Sequence, residues 1–199
     1  MRKNRRHFFL GKKLARLRRT SFFILLSALT LIFAIGGAWW FFRTPMEEFR
    51  SEKISFRYPA DYQEQPKSAA GSGQAAALVK LEVSDPQSLV VLAEEKGAST
   101  GAKLTHTDFL DFLENNAARS FPLTYSSYQK NKVERIEISG RSAALFSFRY
   151  LGKDGKTSVF VDFFIIPVGE DAYYLTIQSV DESRLRKDTA KIQPTITIQ

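Results

Sequence analysis

Few residues in this chain have the types and spacing that chemistry needs. Its imidazoles are His7 and His106, and it has no cysteine. His106 stands close to Asp108 and Asp111, but the spacing matches no strong metal-ligand pattern. Two acids at the start of an amphipathic segment suit the positive end of a helix instead, so no metal is expected. Without thiols, thiolate metal sites, disulfides and a lipidated-cysteine anchor are excluded. Gly71-Ser72-Gly73 lacks the strand–turn–helix setting of a nucleophile elbow, and no phosphate loop or dinucleotide fingerprint occurs, so no cofactor is expected either. Glu94 and Glu95 are adjacent, which in a strand sends them to opposite faces and separates them as an acid/base pair. Asp162 and His106 are what remains for a hydrolytic reading.

The elements that must position these residues follow from periodicity. Ile54–Tyr58 alternates and ends at Pro59, a short strand. Gln63–Ala76 is small, polar and poor in apolar residues, a loop able to carry contacts. Ala77–Val83 and Leu89–Glu95 read as strands broken at Ser84-Asp85-Pro86. Thr107 is placed to cap a helix whose Phe109, Phe112, Leu113 and Ala117 share one face, fading near Arg119–Pro122. Four strands follow, Lys132–Ile138, Ser142–Leu151, Lys156–Ile166 and Ala172–Ser179, separated by glycine-bearing turns. Asp181 caps a last helix to about Gln193, and Thr195–Ile198 is a closing strand. This order predicts an α+β domain, an antiparallel sheet flanked by helices.

One hairpin can be set in register. A two-residue turn at Asp154-Gly155 makes facing residues sum to 309. Phe146 then faces Phe163, Phe148 faces Val161 and Tyr150 faces Val159, an apolar side that belongs to the core. The other side pairs Leu145 with Phe164, Ser147 with Asp162 and Arg149 with Phe160. Arg149 and Asp162 become diagonal neighbours there, a candidate ion pair on a half-covered face.

Charge divides the chain unequally. The first twenty residues hold nine basic side chains and no acid, leaving 20 Lys+Arg against 21 Asp+Glu beyond them. A nucleic-acid partner is therefore not expected, since its basic footprint would lie on the folded body. The arm precedes SFFILLSALTLIFAIGGAWWFF, residues 21–42, which carry no charge. As a helix they would span roughly 33 Å, enough for a hydrocarbon core of about 30 Å. Trp39 and Trp40 would sit at one membrane interface, and Arg18 and Arg19 at the other. The positive-inside bias keeps residues 1–20 cytoplasmic and exports the rest: a linker over 43–52 and a domain over 53–199. Ala34, Gly36 and Ala38 also admit a cleaved signal peptide, with export in either case. The basic arm either sets orientation only or, with Phe8, Phe9, Leu10, Leu14 and Leu17 interleaved, lies on the inner leaflet.

ISFRYPADY, the helix after an irregular stretch, GRSAALFSFRY and DAYYLTIQSV before a last helix together resemble the PsbP-like domain. The resemblance spans Phe49–Gln199 and departs from the pattern at Asp61-Tyr62, where relatives often carry Trp, and at Gln193-Pro194-Thr195. It implies an α-β-α sandwich and a binding or assembly module, not an enzyme. The expected protein is thus a single-pass, membrane-anchored extracytoplasmic module of the cell envelope. Its partners would be the bilayer and an envelope protein met through a sheet face or the 63–76 loop. The alternatives are an extracytoplasmic hydrolase and a chain whose arm and anchor are the working parts.

Overall fold

The computed structural model describes residues 45–66, 75–99 and 104–199. The expected membrane helix over 21–42, with Trp39, Trp40, Arg18 and Arg19, lies outside them, as does most of the 63–76 loop. Among the described residues no helix is long and apolar enough to cross a membrane.

Among the described residues ten strands and two α-helices follow in the order β1 (Met46–Arg50), β2 (Ile54–Pro59), β3 (Gln63–Glu64), β4 (Ala76–Ser84), β5 (Gln87–Glu95), α1 (His106–Thr124), β6 (Gln129–Ile138), β7 (Arg141–Leu151), β8 (Ser158–Val168), β9 (Asp171–Ser179), α2 (Glu182–Ile192) and β10 (Thr197–Ile198), with a 3-10 turn at Gln193–Thr195. All pairings are antiparallel. One sheet runs β3-β4-β5-β9-β8-β7-β6 and a smaller one β1-β2-β10. The chain therefore forms an α+β fold.

The large sheet is apolar on both faces where β8 and β9 cross its centre, so it needs a cover on each side. On one face Phe109, Leu110, Leu113, Ala117 and Phe121 of α1 bury against Phe146, Phe148, Val161 and Ile165. On the other, Leu185 and Ile192 of α2, with Ile54 and Phe56 of β2, close over Leu92, Phe164, Leu175 and Ile177. Each such side chain, fully buried, contributes on the order of 1.5–3 kcal/mol.

The β7–β8 register is the expected one, with Phe146 opposite Phe163, Ser147 opposite Asp162 and Arg149 opposite Phe160. The reversal is wider than two residues. Gly152 N–H donates to Thr157 O at 2.8 Å, and Gly155 takes φ +67° inside the four-residue loop. Widening a loop symmetrically leaves the facing sum unchanged. The second face is not half-covered as expected at Asp162, because α2 lies over it.

Several boundaries move, among them β6, which begins at Gln129, and β8, which runs Ser158–Val168; three have a clear physical reason. Met46–Arg50, inside the segment read as a linker, is strand β1 against β2, with Met46 opposite Pro59; Glu47, Glu48 and Arg50 leave too few apolar residues for its alternation to show. The N-cap of α1 is Thr105, not Thr107: its hydroxyl accepts from Asp108 N–H and the Asp108 carboxylate returns the bond, a capping box. The helix also runs through Pro122 to Thr124. Pro122 lacks an N–H and normally breaks a helix interior, but it lies in the last turn. Phe121 beside it is held edge-on to Phe146 and Phe163, at centroid distances of 5.5 and 5.0 Å. Tertiary packing outweighs the local signal. Phe121→Ala should therefore lower unfolding free energy by about 3–5 kcal/mol and loosen the end of α1, measurable as a fall in urea midpoint with faster amide exchange over 118–124.

Candidate functional site

The faces of the large sheet are covered unequally. Helix α1 lies over β7 and β8, and the strip of β4, β5 and β9 beside it remains partly exposed. Strand alternation puts Leu89, Val91 and Ala93 of β5 on this strip with Tyr174, Thr176 and Gln178 of β9, which are their cross-strand neighbours. All six are partly buried.

Two hollows open on the strip. One, of about 590 Å³, lies against α1 and is lined by Phe112, Asn116, Ser120, Phe163, Tyr174 and Glu95 among others. Phe112, Asn116 and Ser120 are four apart and so share one face of the helix. Phe112 keeps 47% of its surface exposed although it belongs to the expected apolar face. Leu123, three turns further along the helix, is 89% exposed. The second hollow, of about 400 Å³, sits at the other end among Lys80, Glu82, Leu89, Tyr150, Asp154 and Gln178. Its wall is the β7–β8 loop, stiffened by Asp154, which accepts the N–H groups of Lys156 and Thr157 and the Thr157 hydroxyl. Those bonds pull the Asp154 carboxyl down to about 2.

The polar groups in the strip are few and oriented. Tyr174 O–H donates to Glu95 at 2.7 Å, and its ring stacks on Phe163 at 5.8 Å. Burial first, then the bond to Glu95, raises the Tyr174 phenol above its ordinary range. The neighbouring pair, Tyr173 O–H to Glu94 at 2.5 Å, lies on the opposite face, as adjacency in a strand requires. An apolar, aromatic floor with a carboxylate acceptor at one end can bind an extended partner.

The residues offered for hydrolysis are not brought together. His106 is exposed at the start of α1, its Nε2 3.0 Å from Ser142 O. Asp162 is buried on the other face, accepting from Ser147 and Thr189 hydroxyls at 2.6 Å each. Asp108 caps the helix and Asp111 pairs with Arg135. The ion pair expected between Arg149 and Asp162 is not made: Arg149 Nε donates to Gln129 at 2.8 Å. Asp162 is satisfied by hydroxyls because α2 brings Thr189 over it, a long-range contact with no local signal. Among the described residues no group of three or more His, Cys, Asp or Glu could hold a metal ion.

A buried polar clasp fastens α2. Asp188, 2% exposed, accepts Tyr62 O–H at 2.7 Å and Arg184 Nε at 2.6 Å. Arg184 Nη2 lies 2.7 Å from Asp61, off the line of a hydrogen bond, and its guanidinium stands 5.4 Å above the Tyr62 ring. The Asp61-Tyr62 departure from the family pattern thus has a structural task. Gln193-Pro194-Thr195, the other departure, forms the 3-10 turn whose Thr195 hydroxyl accepts Arg57 N–H.

No family model matches the chain, and no curated protein matches it at significance. Among solved structures it is similar to LpqN, involved in cell envelope biogenesis of Mycobacterium tuberculosis, at 15% identity and a TM-score of 0.51, covering 77% of this chain and 91% of that one. Cyanobacterial PsbP from Synechocystis is similar at 11% identity and a TM-score of 0.49, covering 78% and 94%. The likeness to LpqN shows the fold alone, a PsbP-like one, as the resemblance implied.

Burial raises the Tyr62 phenol first, followed by its Asp188 partner, and Tyr174 is raised likewise. Both stay protonated in the fold after the unfolded chain, with tyrosines near 10, begins to ionise. Their contribution to stability is complete below about pH 10 and is lost as pH rises beyond it. The urea midpoint should fall from about pH 9 to 11, and the Tyr62→Phe, Tyr174→Phe double variant should show a shallower fall.

Proposed function

We propose that this chain is a membrane-anchored, extracytoplasmic binding or assembly module of the cell envelope, non-catalytic, that holds an envelope protein against the open strip beside α1. The observation that carries the reading is the strip itself. An otherwise two-sided sheet leaves β5 and β9 partly uncovered beside Phe112, an apolar side chain that a monomer gains nothing by exposing. Its oriented polar groups are acceptors and donors for a partner, with no nucleophile and base in contact among them. The uncharged run over 21–42 behind a wholly basic arm supports the anchor, and the envelope role of LpqN, a protein of the same fold, agrees with the setting.

The absence of native cysteine makes the topology testable with single introduced thiols. A membrane-impermeant maleimide should label Ser183→Cys in intact cells, and Asn4→Cys only after lysis. Equal labelling at both positions before lysis would overturn the topology.

Binding through the strip predicts that a photo-crosslinking residue at Phe112 or Val91 captures a discrete neighbour in intact membranes, while one at exposed Glu170 does not. Phe112→Glu in the same protein should cut the yield at position 91 about tenfold, a loss of about 1.4 kcal/mol, in the range of a single interface anchor. Yields that ignore position and charge would sink the assignment.

A further inference from the structure

We infer that two copies of this chain join through the free edge of strand β6, antiparallel about a two-fold axis at Val133, with Lys132 and Glu134 of each copy facing Glu134 and Lys132 of the other. The contact uses the rim of the large sheet, so it stands or falls separately from the strip and from the anchor.

The rim offers the backbone. Among the described residues β6 pairs with β7 alone and ends the seven-stranded sheet, whose other end is the two-residue strand β3. Over Gln129–Ile138 the side of β6 away from β7 meets no other described strand. Unpaired edge groups of this kind are a template for a further strand. An apolar row also runs across the α1 face to this edge. Phe163 faces Phe146, Phe146 faces Val133, and Val133, the last in the row, is 41% exposed. A second Val133 across the axis continues that row.

Charge selects both the occupant and the register. On the opposite face Lys132 Nζ lies 2.5 Å from the carboxylate of Glu134. A two-fold axis normal to the sheet keeps each face on its own side, so one residue sits on the axis and its flanks meet reciprocally. With Val133 there, Lys132 meets Glu134 of the second copy, and Glu134 meets Lys132. The four charges then alternate around a square, each cation between two anions. With Lys132, Glu134 or Arg135 on the axis, a charge meets its own copy, the repulsion by which edge charges keep strands apart. Ile136 on the axis would bring Arg135 to Glu137, but Arg135 is already held by Asp111 and Glu114 of α1, and the overlap shortens. The bulge between Lys130 and Lys132 lies outside the central triplet. A strand edge buries less than the roughly 1,200–2,000 Å² of a stable interface, so the dimer is a weak, reversible one.

The chain has no cysteine, so introduced thiols report this contact alone. In the full chain, in detergent with copper-phenanthroline, Val133→Cys should form an intermolecular disulfide faster than Glu137→Cys on the same strand. Adding Lys132→Glu, or Glu134→Lys, should slow the Val133→Cys bond about tenfold, because both facing pairs turn from attraction to repulsion. Combining the two reversals in one chain should restore it. Mixing the two singly reversed chains should give the mixed disulfide in preference to either homodimer. Lys132 and Glu134 keep 60% and 35% of their side chains exposed, so urea midpoints near that of the parent show that each variant folds. Equal or faster bonding at 137, or rates that ignore the charge reversals, would overturn the pairing.

Discussion

Strand β8, beside the middle strand β9, packs apolar side chains on both faces, and most of the architecture answers that constraint. Its sequence alternates nothing: Val161, Phe163 and Ile165 point one way, Phe160, Phe164 and Ile166 the other. A sheet so built cannot present either side of its centre to water at a cost of roughly 25 cal/mol per Å² exposed. Two covers are needed, and the chain supplies them from different places. Helix α1 precedes the β6–β9 meander, α2 follows it, and β2 and β10 add a small sheet beside α2. The polar residues at the α2 interface are those that the cover itself satisfies: Asp162 through Thr189, Asp188 through Tyr62 and Arg184.

What could be read from the sequence divides along the same line. The β7–β8 register was accessible because turn residues and a period of two are local, and either turn width gives the same facing pairs. Both caps lie within four residues of their targets; Asp181 is the expected cap, and Thr105 takes the place of Thr107 because it alone can close a capping box with Asp108. The misreadings concern what a distant segment does. Arg149 and Asp162 are diagonal neighbours and would suit each other on an open face, but α2, some twenty residues later, covers Asp162 and supplies a hydroxyl. The end of α1 at Pro122 was legible only as a propensity, and Phe121 packing overrides it. Strand β1 carries two apolar residues in five and is held by pairing with β2, which composition does not reveal. The open strip was anticipated only as an unspecified sheet face, since which half of a sheet a helix covers depends on tertiary geometry.

The two helices differ in what they leave uncovered, and function can be argued from that difference. Helix α2 and the β1-β2-β10 sheet together close their face along most of its width, from β4 to β8, and the polar clasp at Asp188 makes this side rigid. Removing one member of such a buried charge set typically costs several kcal/mol, so this layer is poorly suited to opening for a partner. Helix α1 has no second sheet to help it. Its flank ends at Phe112 and Asn116, beyond which β5 and β9 are exposed.

These two properties fall on opposite faces of one sheet. Because the seven-stranded sheet stands between them, a partner on the strip of Val91, Ala93, Tyr174 and Thr176 would meet a floor whose far side α2 already closes, and seating it asks nothing of the Asp188 clasp. The ordering cost of binding then falls on the partner and on the side chains of the strip, and the fold beneath them is already in place.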